Sequence, residues 1–401
     1  MLWYNCSGGS VDAAESENKL FDNGEKMKVG IYAPYLNTCG GGEKYICTIA
    51  EILSKKCDVE FIVFEEPAIS ELERKLNVNL SKVKIRKLCI PTLVDTPKVR
   101  NLFRIKTISA ATKNYDLFIN QEICSIIPAK SPKNIYLCQV PLRSLSGKFY
   151  KRFIKKLLFD PELKTYNIIM VYSYFVKKWV EKYYGGKNIV VLYPPVDTGQ
   201  FLPGNKKNII LSVGRFFVGW HSKKQFEMIK TFKEMYDTNK NLKGWEYHLV
   251  GGVSNNERDL IYLEKCQKEA QGYPIYFHVN TPFEELKTLY GSAKIFWHAT
   301  GFGEDETEHP ERMEHFGITT VEAMAARCVP IVINKGGQPE IVRSYVDGFL
   351  WNTLEELKGY TLKLIENEEL MRKMSQSALK RAHVFDIQNF KRNAEFILFR
   401  Y

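Results

Sequence analysis

Two glutamates, Glu314 and Glu322, have seven residues between them in the segment EHFGITTVEAMAA (314–326). Gly317 opens a stretch with helical apolar spacing. The amides of Phe316, Gly317, Ile318 and Thr319 would then lie at a helix start, where unpaired N–H groups and the helix dipole suit an anion. Glu322 would sit about one turn into that helix, within reach of a polyol such as a ribose. Two surface glutamates flanking a core helix would show the same spacing, so spacing alone leaves both readings open. A second candidate is Arg215, which follows Gly214 at the end of an apolar run, with Lys223 and Lys224 downstream. Such a group can clamp a diphosphate, the guanidinium as a planar fork and an ammonium as a point charge. A solvated basic loop is the alternative. A third is Gly40-Gly41-Gly42 before Glu43, directly after the first apolar run. These glycines allow close backbone approach, and the helix start beyond them suits a phosphate. The run lacks the G-x-G-x-x-G dinucleotide pattern, and a tight strand–helix turn explains it equally well.

The elements that would position these residues alternate. Buried strands are expected at 29–35, 59–64, 116–120, 134–140, 168–173 and 189–195, and again at 208–214, 247–252, 275–279, 295–299 and 329–334. Segments with helical periodicity, such as 223–237, lie between them. Continuous apolar runs separated by helices predict parallel strands covered on both faces. The Pro- and Gly-containing stretch 193–208 reads as an interdomain linker. The expected fold class is therefore α/β, with two doubly wound, Rossmann-like domains. Ligands in such sheets bind at the carboxyl ends of the strands, so two such domains facing each other would hold a site in a cleft.

The chain has 401 residues, 45% hydrophobic and 26% charged, which fits two globular domains and excludes a disordered or collagen-like chain. No uninterrupted apolar run is long enough for a transmembrane helix. The nine cysteines form no C-x-x-C pair, which fits a reducing cytoplasmic compartment and gives no sign of a zinc site. The polar first 26 residues lack signal-peptide features and read as a flexible extension. The formal net charge is +11. Residues 82–187 hold 22 Lys and Arg against 6 Asp and Glu, so the excess is local and implies an anionic partner. Within it, residues 142–159 form a helical pattern with Phe149, Phe153, Ile154, Leu157 and Leu158 on one face. Lys151, Arg152, Lys155 and Lys156 lie on the other. This suits an interfacial helix on an anionic membrane, and equally a helix packed on its own sheet with solvated lysines. No recognised nucleic-acid motif accompanies the charge, so nucleic acid is not expected.

Across residues 28–345 the sequence resembles the retaining glycosyltransferases of family 4, which have the GT-B fold and an E-x7-E motif. The resemblance rests on the Gly-rich turn, YPPVD (193–197), VGR (213–215), FEELKTLYGSAKIFWHA (283–299), EHFGITTVEAMAA and VPIVINKGGQPEIV (329–342). It implies transfer of a mannose- or glucose-type hexose from a UDP or GDP sugar to a hydroxyl acceptor, such as a membrane glycolipid, lipid-linked oligosaccharide or polysaccharide. Arg215 and Lys223 would bind the donor diphosphate and stabilise leaving-group charge. Glu314 would sit beside the donor sugar, and Glu322 would hold the ribose. The backbone at Phe316–Thr319 would contact sugar or phosphate, Gly40–Gly42 would approach the phosphates, and Val279 and Asn280 would lie at the base.

Three positions depart from the family pattern. Lys223 follows Arg215 by eight residues rather than five, with Lys224 beside it. Gln139 stands on the acceptor side where many members have histidine, and glutamine cannot act as a general base. Arg327 replaces the usual glycine after Met-Ala-Ala. No D-x-D motif occurs, so neither a metal nor another cofactor is expected, and the run Glu304-Asp305-Glu306 reads as a solvated acidic loop. Histidines 298, 309 and 315 lack ligand spacing. The expected division is an extension at 1–26, an acceptor-side domain at 27–198, a nucleotide-sugar domain at 199–384 and a returning helix at 385–401. The enzyme would be cytoplasmic, peripheral on a membrane. The alternatives are another GT-B enzyme, a phosphorylase or nucleotide-sugar epimerase, and an inactive basic GT-B scaffold on membrane or nucleic acid.

Overall fold

Apolar runs become strands in the computed structural model, which describes residues 26–90, 97–123, 126–141, 163–185 and 188–400. The strands are β1 (Lys28–Tyr32), β2 (Asp58–Val63), β3 (Val83–Lys87), β4 (Leu117–Asn120), β5 (Lys133–Cys138), β6 (Ile168–Val171) and β7 (Ile189–Val191). Then follow β8 (Lys207–Val213), β9 (Glu246–Gly251), β10 (Ile275–Val279), β11 (Ala293–His298), β12 (Val329–Ile333) and β13 (Phe349–Trp351). They form two sheets, ordered β3-β2-β1-β4-β5-β6-β7 and β10-β9-β8-β11-β12-β13. Every pairing described is parallel. In each sheet the order reverses beside its first strand, which is the doubly wound pattern with a switch point between β1 and β4 and between β8 and β11.

The chain divides into two compact units. One takes Met1–Cys138, Leu145–Met170 and Lys391–Tyr401; the other takes Gln139–Ser144 and Val171–Phe390. In the first unit, Lys391 Nζ lies 3.0 Å from Glu51 Oε1, and Lys56 lies over the Phe399 ring. In the second unit successive strand residues feed opposite layers. Trp297 packs with Phe232, Tyr247 and Trp351 on one face, while Phe296 packs with Leu211, Phe316 and Val321 on the other. The stretch 193–208 is less open than a linker, because Val196 and Phe201 are buried in that second layer.

Two strands escaped the hydrophobic pattern. β3 alternates apolar and basic residues, VKIRK, as an edge strand does, and β13 has only three residues. Arg327, in place of the expected glycine, has φ +62° and ends the helix Ile318–Ala325 in the left-handed region. Residues 1–25, and the basic segment holding Lys151, Arg152, Lys155 and Lys156, lie outside the described residues.

Candidate active site

Arg215, Lys223 and Glu314 gather at the carboxyl ends of β8 and β11, where the strand order reverses. Beyond β8 the backbone is tightly packed. A Cβ on Gly251 would come within 2.1 Å of the Gly214 carbonyl oxygen, and one on Gly214 within 2.6 Å of Lys223 Cγ. The Lys223 stem therefore lies across Gly214. The buried Gln225 amide donates to the carbonyls of Gly214 and Arg215, at 3.1 and 3.0 Å, and fixes the loop. Arg215 itself is exposed; its guanidinium lies 5.4 Å from the Phe217 ring centroid and forms no ion pair among the described residues.

Glu314 is the centre of the cluster. Its Oε2 accepts from Lys223 Nζ at 2.6 Å and lies 3.0 Å from His298 Nε2, the last residue of β11. Thr300 Oγ1 is 3.3 Å from the same nitrogen, and Gln338 Nε2 is 3.4 Å from His298 Nδ1. Thr320 Oγ1 donates to Gln338 Oε1 at 3.0 Å. Burial works to raise the Glu314 carboxyl, but the Lys223 charge and the His298 hydrogen bond outweigh it and hold the group well below the usual carboxylate range. Burial pushes His298 down, against the pull of Glu314. The Glu314 carbonyl accepts from the Gly337 amide at 2.7 Å. The sequence singles out Glu314 and Lys223 as site residues; His298 and Gln338 lie in segments that carry the family resemblance but have no role assigned there, and Thr300 has none either.

Gly317 precedes the helix Ile318–Ala325 with φ +120°, and a Cβ there would lie 2.6 Å from Gln338 Nε2. The first bonds back to Gly317 O come from Thr320 N and Val321 N, so the amides of Ile318 and Thr319 precede the intrahelical ladder. Phe316 is buried beside Tyr193 and Phe385, with ring centroids 5.4 and 5.5 Å away. Glu322 accepts from Tyr290 OH at 2.8 Å, and burial pushes its carboxyl up to about 7. A folded-state value above the unfolded one favours the folded state below the ordinary carboxyl range, and that contribution is lost as pH rises through about 7. Glu322→Gln should therefore gain Tm over the parent at about pH 8 and lose that advantage at about pH 5. Parallel Tm profiles for the two proteins would contradict the assignment.

The acidic run departs from its sequence reading. Glu304 is largely enclosed and bridges Lys224 Nζ and Arg312 Nη1, each at 2.8 Å, while its backbone carbonyl accepts from Lys335 Nζ at 2.6 Å. Despite burial, these cations hold it below the usual range. Lys223 and Lys224 are thus engaged by different carboxylates. Val279 ends β10, and Asn280 follows at φ +53° with its Oδ1 accepting from Val253 N at 3.1 Å. The Gln139 side-chain nitrogen is buried without a hydrogen-bond partner among the described residues.

In the first unit, Gly40 caps the helix Gly41–Leu53, and its amide donates to Glu43 Oε2 at 2.8 Å. A cavity of about 420 Å³ opens near the carboxyl ends of β1 and β2, lined by Tyr32, Phe64, Arg100, Asn101 and Arg104 among others.

Residues 197–381 match the sequence family described as glycosyl transferases group 1. A GDP-Man:Man(3)GlcNAc(2)-PP-Dol alpha-1,2-mannosyltransferase of Dictyostelium discoideum is 27% identical over 62% of this chain and 51% of its own length. The enzyme of the same description from Xenopus tropicalis is 30% identical over 51% of this chain and 42% of its own. The chain spans about half or less of the length of these curated relatives. Among solved structures, the HepE protein of Anabaena in complex with UDP and glucose aligns over 93% of this chain and 99% of its own, with TM-score 0.69 and 14% identity. The chain has the GT-B fold. Its two parallel-sheet, Rossmann-like units are the halves of that fold, and the glycosyl transferase match falls on the second. No helix among the described residues is long and apolar enough to cross a membrane.

Proposed function

We propose that the protein is a retaining, metal-independent hexosyltransferase of family 4, using a nucleotide sugar as donor. The observation that carries this reading is the partly buried, charged Glu314 held by Lys223 and His298 at the strand switch of a segment matching glycosyl transferases. The exposed Arg215 takes the donor diphosphate with Lys223, and Ile318 and Thr319 offer free amides to donor oxygens. Glu322 holds the ribose, and Val279 and Asn280 border the base. In the first unit, Gly40–Gly42 offer a backbone that a phosphate could approach closely. A mannosyl donor of GDP type is favoured by the names of the mannosyltransferase relatives. In a front-face reaction the sugar C1–O bond to phosphate breaks, the acceptor oxygen bonds C1 on the same face, and its proton passes to the departing phosphate oxygen. That course needs no base at Gln139.

The acceptor is a glycan on a lipid carrier, bound on the first unit. Its cavity, which joins aromatic walls to Arg100, Asn101 and Arg104, supports this. The basic segment 142–159 would hold the enzyme on an anionic, cytoplasmic membrane face. Neutralising Lys151, Arg152, Lys155 and Lys156 should then weaken salt-sensitive binding to anionic vesicles several-fold, and unchanged binding would remove that anchor. The test of the activity is a panel of UDP and GDP sugars scored for binding and slow hydrolysis by the purified protein. One donor should stand out, with its anomeric configuration kept in the product. No interaction with any of them, or inversion, would overturn the reading.

A further inference from the structure

Gln338 lies outside both motif glutamates, yet the network around it determines where a proton sits. Thr320 Oγ1 donates to Gln338 Oε1 at 3.0 Å, which turns the amide nitrogen toward His298 Nδ1 at 3.4 Å. An amide N–H facing Nδ1 requires a lone pair there, so the single proton of a neutral imidazole lies on Nε2. Nε2 is 3.0 Å from Glu314 Oε2 and donates to it. The opposite tautomer would aim the Nε2 lone pair at a carboxylate oxygen. With the amide reversed, both contacts could be satisfied only by an imidazolium, in a side chain 3% exposed.

We propose that Gln338 is a positioning residue that fixes the His298 tautomer and, through it, the orientation of Glu314. Lys223 and His298 then share Oε2, and among the described residues Oε1 is left with lone pairs for a hydroxyl of the donor sugar. The placement of Gln338 is enforced twice: the neighbouring Gly337 amide is bonded to Glu314 O at 2.7 Å, and the missing Cβ of Gly317 makes room for the Gln338 amide. This inference rests on the reading of Glu314 as the residue beside the donor sugar.

Long-range ¹H–¹⁵N spectra of the full chain, with the His298 signals assigned by their loss in His298→Gln, test the tautomer without any assay of activity. The parent should show a protonated Nε2 and an unprotonated Nδ1. Gln338→Leu should shift the Nδ1 signal away from its parent position, and its kcat should fall at least about tenfold with a smaller change in donor KM. Gln338→Glu, which accepts rather than donates, should bring the proton onto Nδ1 and give His298 the imidazolium pattern. A parent spectrum with protonated Nδ1, which needs no variant to fold, overturns the inference. So does a Gln338→Leu protein with the parent's His298 signals, or one that loses them and keeps its full kcat. Absence of turnover in the parent would count against the proposed activity, while the spectrum alone decides the tautomer.

Discussion

Replacing Glu314 by alanine should lower turnover by about a hundredfold or more, the scale of losing one preorganised electrostatic contact to a transition state. Glu314 is the only acceptor described for the side-chain ammonium of Lys223, which it meets at 2.6 Å, and it also accepts from His298. Removing it leaves the Lys223 ammonium without its described acceptor and His298 Nε2 without the carboxylate oxygen 3.0 Å away. The unpaired group costs about 1–3 kcal/mol of stability, so the variant should fold with a lowered Tm. Glu314→Gln keeps the shape and removes the charge. It should retain more stability than the alanine variant, yet turn over slowly, because an amide cannot hold Lys223 as an ion partner. Full turnover in both proteins would remove Glu314 from the chemistry. The carboxyl sits well below its usual range, so its ionisation should leave the rate unchanged across neutral pH.

Arg215→Ala should cost a comparable factor, about a hundredfold in kcat/KM, with almost no change in Tm. The reason is its isolation. The guanidinium is exposed, lies 5.4 Å from the Phe217 ring centroid, and has no ion pair to break among the described residues. Its fork is thus available to a diphosphate without first leaving a carboxylate, unlike Lys223 and Lys224. Arg215→Lys should restore only part of the loss, because an ammonium cannot make the bidentate contact. A normal kcat/KM for the donor in Arg215→Ala would show that the phosphates lie elsewhere.

Much of this was legible in the residues. Strands covered on both faces announce themselves as apolar runs, and glycine-ended strands followed by helices mark where ligands approach. Eleven of the thirteen strands lie within or beside such runs; the two others, β3 and β13, are an alternating edge and a three-residue strand. The candidate site was legible where its residues lie in one stretch, as from Glu314 to Glu322. It was not legible where partners come from distant elements. Glu304 looks solvated because its neighbours in the chain are acidic, but Lys224, 80 residues away, and Arg312 enclose it. His298 and Gln338 are 40 residues apart and meet only after β11 and β12 have paired.

The tight backbone beneath the site has a bearing on mutational tolerance. An alanine at Gly214, Gly251 or Gly336 adds one carbon. That carbon would fall 2.6 Å from the Lys223 stem, 2.1 Å from the Gly214 carbonyl oxygen, or 2.2 Å from the Glu314 carbonyl oxygen. Each would shift the Lys223 stem or the main chain at Gly214 or Glu314 by a sizeable fraction of an ångström. In a saturation scan the intolerant positions should therefore trace a second outline around the charged one, set by volume alone. The charged side chains can be retuned by substitution, whereas the floor that carries them admits only hydrogen.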